Sequence, residues 1–440
     1  MRFCKKNFIT ILYVCIAIVS FFCVFNVIKN QYNSNKNVNQ SNSICCVKKL
    51  DANLISNSNF TVKSQSKTKL KISFLLDITD DLSQEVETQI GDLEDDKFDE
   101  ILKNLGDREK QIFQNEGFFE KIKKIISGQA SYDFVDLINI VLSLFLDNFS
   151  GIIPILAIIC AVAIMSSLLL QLRGKALNKP LGDIIHFCTF AVIIVAVLTS
   201  VLELVKLTSN TLSLLKSQME ICFPILLTLM AGLGAGTSVG IYQPMIAILS
   251  GAVMHLFTSV LLPIFSLCII FSVIGNLTSS VKLTKFTKFL ESSFKYIIGF
   301  TFTIFSAFLA VSGIVAGSFD GISIRATKFA VKSYIPFVGG YLADGFSLIM
   351  TSSILIKNAI GYSGLIVMFL TVISPLLKIV LFKLGLSLVA GVIESVADSR
   401  VTNFVSATAK SLSMLSGIIL AFSFAYMISV GLIMCSSNLI

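Results

Sequence analysis

The chain has 440 residues, 54% hydrophobic and only 14% charged, with a mean hydropathy of +0.83 and a formal net charge of +8. A soluble domain carries about 25% charged residues, so this composition excludes a soluble globular protein. The basic surplus reads as short basic loops between spans rather than a nucleic-acid surface.

In chain order, Arg2, Lys5 and Lys6 precede an apolar run from Asn7 to Ile28. Residues 1–28 therefore read as a signal sequence or an N-terminal anchor. Residues 29–72 are rich in Asn, Ser, Gln and Lys without apolar periodicity, which predicts a linker. Residues 77–109 carry thirteen acids against three bases, the pattern of a solvated helix face. Apolar residues return at Phe118, Phe119, Ile122, Ile125 and Ile126, predicting an amphipathic helix that ends near Gly128. Residues 29–131 are thus expected to form a small, mostly helical, exported region.

Residues 132–440 read as a polytopic membrane domain. Asp136, Asn139, Ser143 and Asp147 form one polar stripe, which suits a helix lying in the membrane interface over Tyr132–Phe149. A first span is expected over Gly151–Leu172. Arg173, Lys175 and Lys179 follow it and belong on the cytoplasmic side, in agreement with export of the N-terminal region. A second span, Ile184–Leu202, leads to a loop of mixed charge (Glu203, Lys206, Lys216, Glu220). Ile221–Gly240 is expected to be broken or re-entrant, and Met245–Ile274 one long tilted span. Lys282, Lys285, Lys288 and Lys295 mark the next cytoplasmic loop. Further spans are expected over Phe294–Gly317, Ile335–Asn358, Ser363–Ile379, 382–396 and Leu412–Met434. A charged loop is expected over Phe319–Ser333, and a cytoplasmic turn at Lys378 and Lys383. The fold class is all-α: a polytopic α-helical membrane protein with six to eight spans.

Ten cysteines and two histidines show no metal-ligand spacing. The cysteines read as small apolar residues. Gly232, Gly234, Gly236 and Gly240 lack the strand that a phosphate loop needs, so they read as helix breakers or close-packing positions. No catalytic motif appears, and neither an enzyme nor a cofactor is expected.

Charge inside a membrane domain usually marks a working surface. Asp344 shares a helical face with Ser347, Thr351 and Asn358, either lining an aqueous path or making a helix–helix contact. Ser387, Gly391, Glu394 and Asp398 form a second small and acidic stripe, for packing or for a pore.

Asp320-Gly321-Ile322-Ser323-Ile324-Arg325, continuing to Lys328-Phe329, is followed by Ile335-Pro336-Phe337-Val338-Gly339, by Asp344, and by Leu355-Ile356-Lys357-Asn358-Ala359-Ile360-Gly361. In these runs the chain resembles the stage III sporulation protein AE family of endospore-forming bacteria. The resemblance implies a membrane subunit of the channel or secretion complex that joins mother cell and forespore. Such a protein would sit in the mother-cell membrane around the forespore and support late gene expression after engulfment. Its implied partners are other stage III proteins of the same operon, among them an ATPase and ring-forming exported proteins, and a forespore-membrane protein. Nucleic acid is not among them. On this reading Arg325 and Lys328 hold an anionic partner or lipid headgroups. Pro336 and Gly339 shape the membrane core, Asp344 and Glu394 line it, and Asp320, Gly321, Lys357 and Asn358 complete the candidate set. A stand-alone secondary transporter and a non-conducting scaffold are the alternatives.

Overall fold

A computed structural model of the chain describes residues 134–171, 179–277, 283–334, 339–395 and 398–436. The signal or anchor segment and the exported region lie outside the described residues. Among the described residues every regular element is helical, and six helices are long and apolar enough to cross a membrane. These are α1 (Phe134–Gln171), α2 (Lys179–Gly232), α3 (Gly236–Leu277), α4 (Thr284–Tyr334), α5 (Gly339–Ile393) and α6 (Ser399–Ser436). Hydrocarbon offers no partner for a backbone N–H or C=O, so an apolar chain meets that demand within helices. The fold is that of a polytopic α-helical membrane protein, and the six such helices among the described residues agree with the lower end of the expected six to eight spans.

The two helices latest in sequence form the middle of the bundle. The buried share rises from 17% in α1 and α4 to 39% in α2 and α3, 61% in α6 and 83% in α5. α5 packs on α6, α2, α1 and α4, while α6 also meets α2, α3 and α4. Phe190 of α2 meets Phe404 of α6 edge-on at 5.7 Å, and Phe223 meets Tyr426 at 5.6 Å, so α2 and α6 run parallel. Phe257 of α3 meets Phe422 at 6.0 Å, and the hydroxyls of Ser238 and Ser436 share a hydrogen bond of 3.0 Å. α3 therefore runs antiparallel to α6.

Close approach to α5 rests on glycine. A Cβ at Gly361 would come within 2.6 Å of Met434 Sδ on α6, and one at Gly385 within 2.2 Å of Leu156 Cδ1 on α1. Without dispersion-rich contacts of this kind membrane helices have little reason to associate, because lipid tails are as apolar as leucine.

Several expected boundaries are absent. α1 runs unbroken through Ser150-Gly151, so the interfacial helix and the first span are one element. The mixed-charge loop at 203–220 is helical and belongs to α2. The charged segment Phe319–Ser333 is the end of α4 rather than a loop. The three segments expected between Ile335 and Val396 form the single helix α5 from Gly339, and no turn occurs at Lys378 or Lys383. Pro154, Pro224 and Pro375 lie within helices without ending them. In a packed bundle neighbouring groups re-satisfy the carbonyl that a proline frees.

One expected break is present. Gly234 takes φ 79° between α2 and α3. Ala235 N–H donates to Met230 O at 3.0 Å and Gly234 N–H to Ala231 O at 2.9 Å. That pair of bonds is the Schellman ending, which needs a left-handed residue and so favours glycine. Gly232, Gly236 and Gly240 have open space where a Cβ would go, so they do not mediate close packing.

Candidate functional site

α2 is 54 residues long, about 81 Å of helix. The hydrocarbon core is about 30 Å thick, so a single crossing uses only part of it. Its outer face divides accordingly. From Ile184 to Leu202 the exposed side chains include Ile184, Phe187, Val192, Val195 and Leu202, and this stretch is about 28 Å long. Beyond it the exposed positions become Glu203, Lys206, Asn210, Ser213, Ser217 and Glu220, at alternating spacings of three and four. The inner face keeps Leu204, Leu212, Leu215 and Met219 buried, with Thr208, Thr211 and Gln218 the buried polar residues among them. A polar stripe of this length is costly against acyl chains and must turn toward water or protein.

Where the two faces of α2 meet, the bundle opens into a polar cavity of about 180 Å³ between α1, α2 and α5. Asp147, Asn148, Ser200, Glu203 and Lys378 contribute its polar wall; Ile152, Ile155 and Phe382 are among its apolar lining. Lys378 Nζ donates to Glu203 Oε1 at 2.6 Å. This pairing gives Lys378 a counter-ion within the apolar second half of α5. Deeper in, Gln218 Nε2 donates to Thr371 Oγ1 at 2.6 Å, and Thr371 Oγ1 to Val367 O at 2.9 Å. This buried chain ties α2 to α5.

Lys357 is fully buried, and its Nζ donates to Ile433 O at 3.2 Å and Met434 O at 3.0 Å. These carbonyls lie in the last turn of α6, where the helix has no N–H donors of its own to offer them and its dipole end is negative. The amine satisfies both needs. Asn358, one residue on, is also buried.

The other residues singled out from sequence do not converge with these. Asp320, Gly321, Arg325 and Lys328 lie in the second half of α4, on a helix rather than in the expected loop. Pro336 lies outside the described residues. Gly339 opens α5, and Asp344 lies in its second turn. Glu394 is exposed in the turn just after α5 ends at Ile393, so the expected stripe through Glu394 and Asp398 is interrupted. Asp398 Oδ1 instead accepts from the Arg400 N–H at 2.8 Å, near the start of α6. Sequence reading missed the cavity residues Asp147, Glu203 and Lys378 as a group, together with Gln218 and Thr371. The 3–4 spacing of polar positions from Glu203 to Glu220 was the signal that could have exposed α2 as one helix.

A model of the stage III sporulation protein AE family matches residues 118–437, which include all six helices. The chain belongs to that family. The stage III sporulation protein AE of Bacillus subtilis (strain 168) is 23% identical over 290 residues, covering 66% of this chain and 71% of that protein. No solved structure matches the chain. This member of the family is thus a membrane protein of sporulation. Its Lys357 and Gly361, two positions in the run that carries the resemblance, meet adjacent points on the end of α6.

Proposed function

We propose that the chain is a membrane subunit of the mother-cell-to-forespore channel complex, required for forespore development after engulfment. Its role there is non-catalytic. Family membership supports the setting, and the divided outer face of α2 carries the mechanism. The centre of the bundle is filled by α5, with the side chains of Leu365, Ile366, Leu370 and Ile373 buried. A path for solute therefore runs along the polar stripe beyond Glu203, completed by a second copy or by another subunit of the complex. The partners of this assembly are the other stage III proteins, including the ATPase and the ring-forming exported proteins, and a forespore-membrane protein. The chain spans the mother-cell membrane several times, with its N-terminal region exported. Asp320, Gly321, Arg325, Lys328, Pro336, Gly339, Asp344 and Glu394 remain proposed contacts to those partners or to the polar path.

The test is complementation in a Bacillus subtilis strain lacking its own stage III sporulation protein AE. The wild-type chain is expected to restore spores. Asn210→Leu with Ser217→Leu is expected to accumulate in the membrane yet arrest development after engulfment, as are Arg325→Ala and Asp344→Ala. Normal spore yield from the Asn210/Ser217 variant would remove the stripe from the mechanism. Failure of the wild type to restore spores, with its protein present, would overturn the assignment.

A further inference from the structure

The first turns of α4 carry two stripes side by side. Lys285, Lys288 and Lys295 are exposed at i, i+3 and i+10. Phe286, Phe289 and Tyr296 are 54%, 63% and 77% exposed at the same spacing, one position on. Glu291 is the one acid between Thr284 and Phe300, and it is taken by an ion pair with Lys410 of α6. No acid among the described residues lies within ion-pair distance of the three lysines. The start of α4 therefore presents three cations with no countercharge of its own.

The aromatic stripe has a floor. Phe286 meets Phe271 of α3 edge-on at 5.3 Å and Phe289 at 6.2 Å. Ile270 and Ile274 of α3 are exposed nearby along that helix. Along α4 the apolar stripe continues through Phe300, Ile304 and Phe308, all exposed. An acidic peptide would satisfy the lysines but leave this ledge in water. A phospholipid satisfies both, with its phosphate at the Lys285 and Lys288 end of the stripe and its acyl chains along the ledge. Helical side chains lean toward the N-terminus of their helix, so each lysine reaches toward the Thr284 end while its stem covers apolar surface.

We propose that the start of α4, with the adjoining face of α3, is a binding site for an anionic phospholipid. A basic, aromatic-studded helix start is the pattern that anionic membrane surfaces attract. Each lysine contributes roughly a fivefold preference for anionic over neutral lipid, on the order of 100-fold for the three.

The experiment uses the full chain purified in detergent and scored by native mass spectrometry for retained lipid, with phosphatidylglycerol and phosphatidylcholine in competition. The wild type is expected to retain phosphatidylglycerol preferentially, and the preference should decline as salt rises. Lys285→Gln, Lys288→Gln and Lys295→Gln together are expected to abolish it, whereas the three Lys→Arg changes keep it. Lys216→Gln, on α2, is the control and leaves it unchanged. Equal retention of the two lipids by the wild type, or a preference insensitive to salt, would overturn the proposal without reliance on any variant. Preferential capture of a poly-glutamate peptide in place of phosphatidylglycerol would also overturn it.

Discussion

Lys357 and Met434 stand 77 residues apart in the chain, yet the amine of the first donates to the carbonyl of the second at 3.0 Å. A lysine on one helix thereby closes the end of another. Lys357→Met keeps most of the volume and removes the donors, leaving the Ile433 and Met434 carbonyls without this partner inside the bundle. The expected loss of stability is about 1–3 kcal/mol, read as a lower thermal midpoint of the protein in detergent. An unchanged midpoint would mean that the amine is not holding the end of α6.

Glycines on the central helices separate into two kinds. Gly385→Ala drives a Cβ into Leu156, and overpacking of this type costs about 1–3 kcal/mol. Gly417→Ala, on α6, meets nothing within 4 Å and should stabilise by about 0.5–1 kcal/mol through helix propensity. The two midpoints should therefore move in opposite directions. A shift of the same sign in both would contradict the packing described for α5.

Much of the bundle was legible in the residues themselves, because long apolar runs and a glycine between them have few other solutions. Gly234 ends α2 as its sequence setting suggested. Other boundaries misled. Glu203, Lys206, Lys216 and Glu220 resemble a loop when counted as charge, although Leu204, Leu212, Leu215 and Met219 keep a helical period beneath them. Lys378 looked like a turn because its partner, Glu203, is 175 residues away in sequence. The role of Lys357 depends on the end of a helix that only the packing brings near. Pairings across such separations leave no periodic trace in one sequence.

The outer face of α2 makes a prediction about solvent. In a cysteine-free background, Asn210→Cys and Ser217→Cys should react with a water-soluble maleimide in membranes, because the thiol ionises and reacts only where water reaches it. Val192→Cys and Val195→Cys, on the apolar stretch, should not. Protection of the first pair in isolated protein as well as in cells would show that the stripe is covered within the chain rather than by water or a partner.

The Glu203–Lys378 pair is partly solvated, with side chains 61% and 35% exposed. Its coupling should be modest, about 0.2–1 kcal/mol in a double-mutant cycle. Glu203→Lys combined with Lys378→Glu should recover most of what either single change loses. A coupling several times larger would mean that the cavity around Asp147 excludes water.

The order of synthesis inverts the order of packing in this molecule. α1 to α4 leave the ribosome before α5 and α6, the two helices against which their inner faces rest. Until residue 339 emerges, Gln218 lacks Thr371 and Phe257 lacks Phe422, the partners they meet in the finished bundle. Insertion and folding are therefore separate events here, and a nascent chain stopped before α5 would depend on an insertase or chaperone to escape proteolysis.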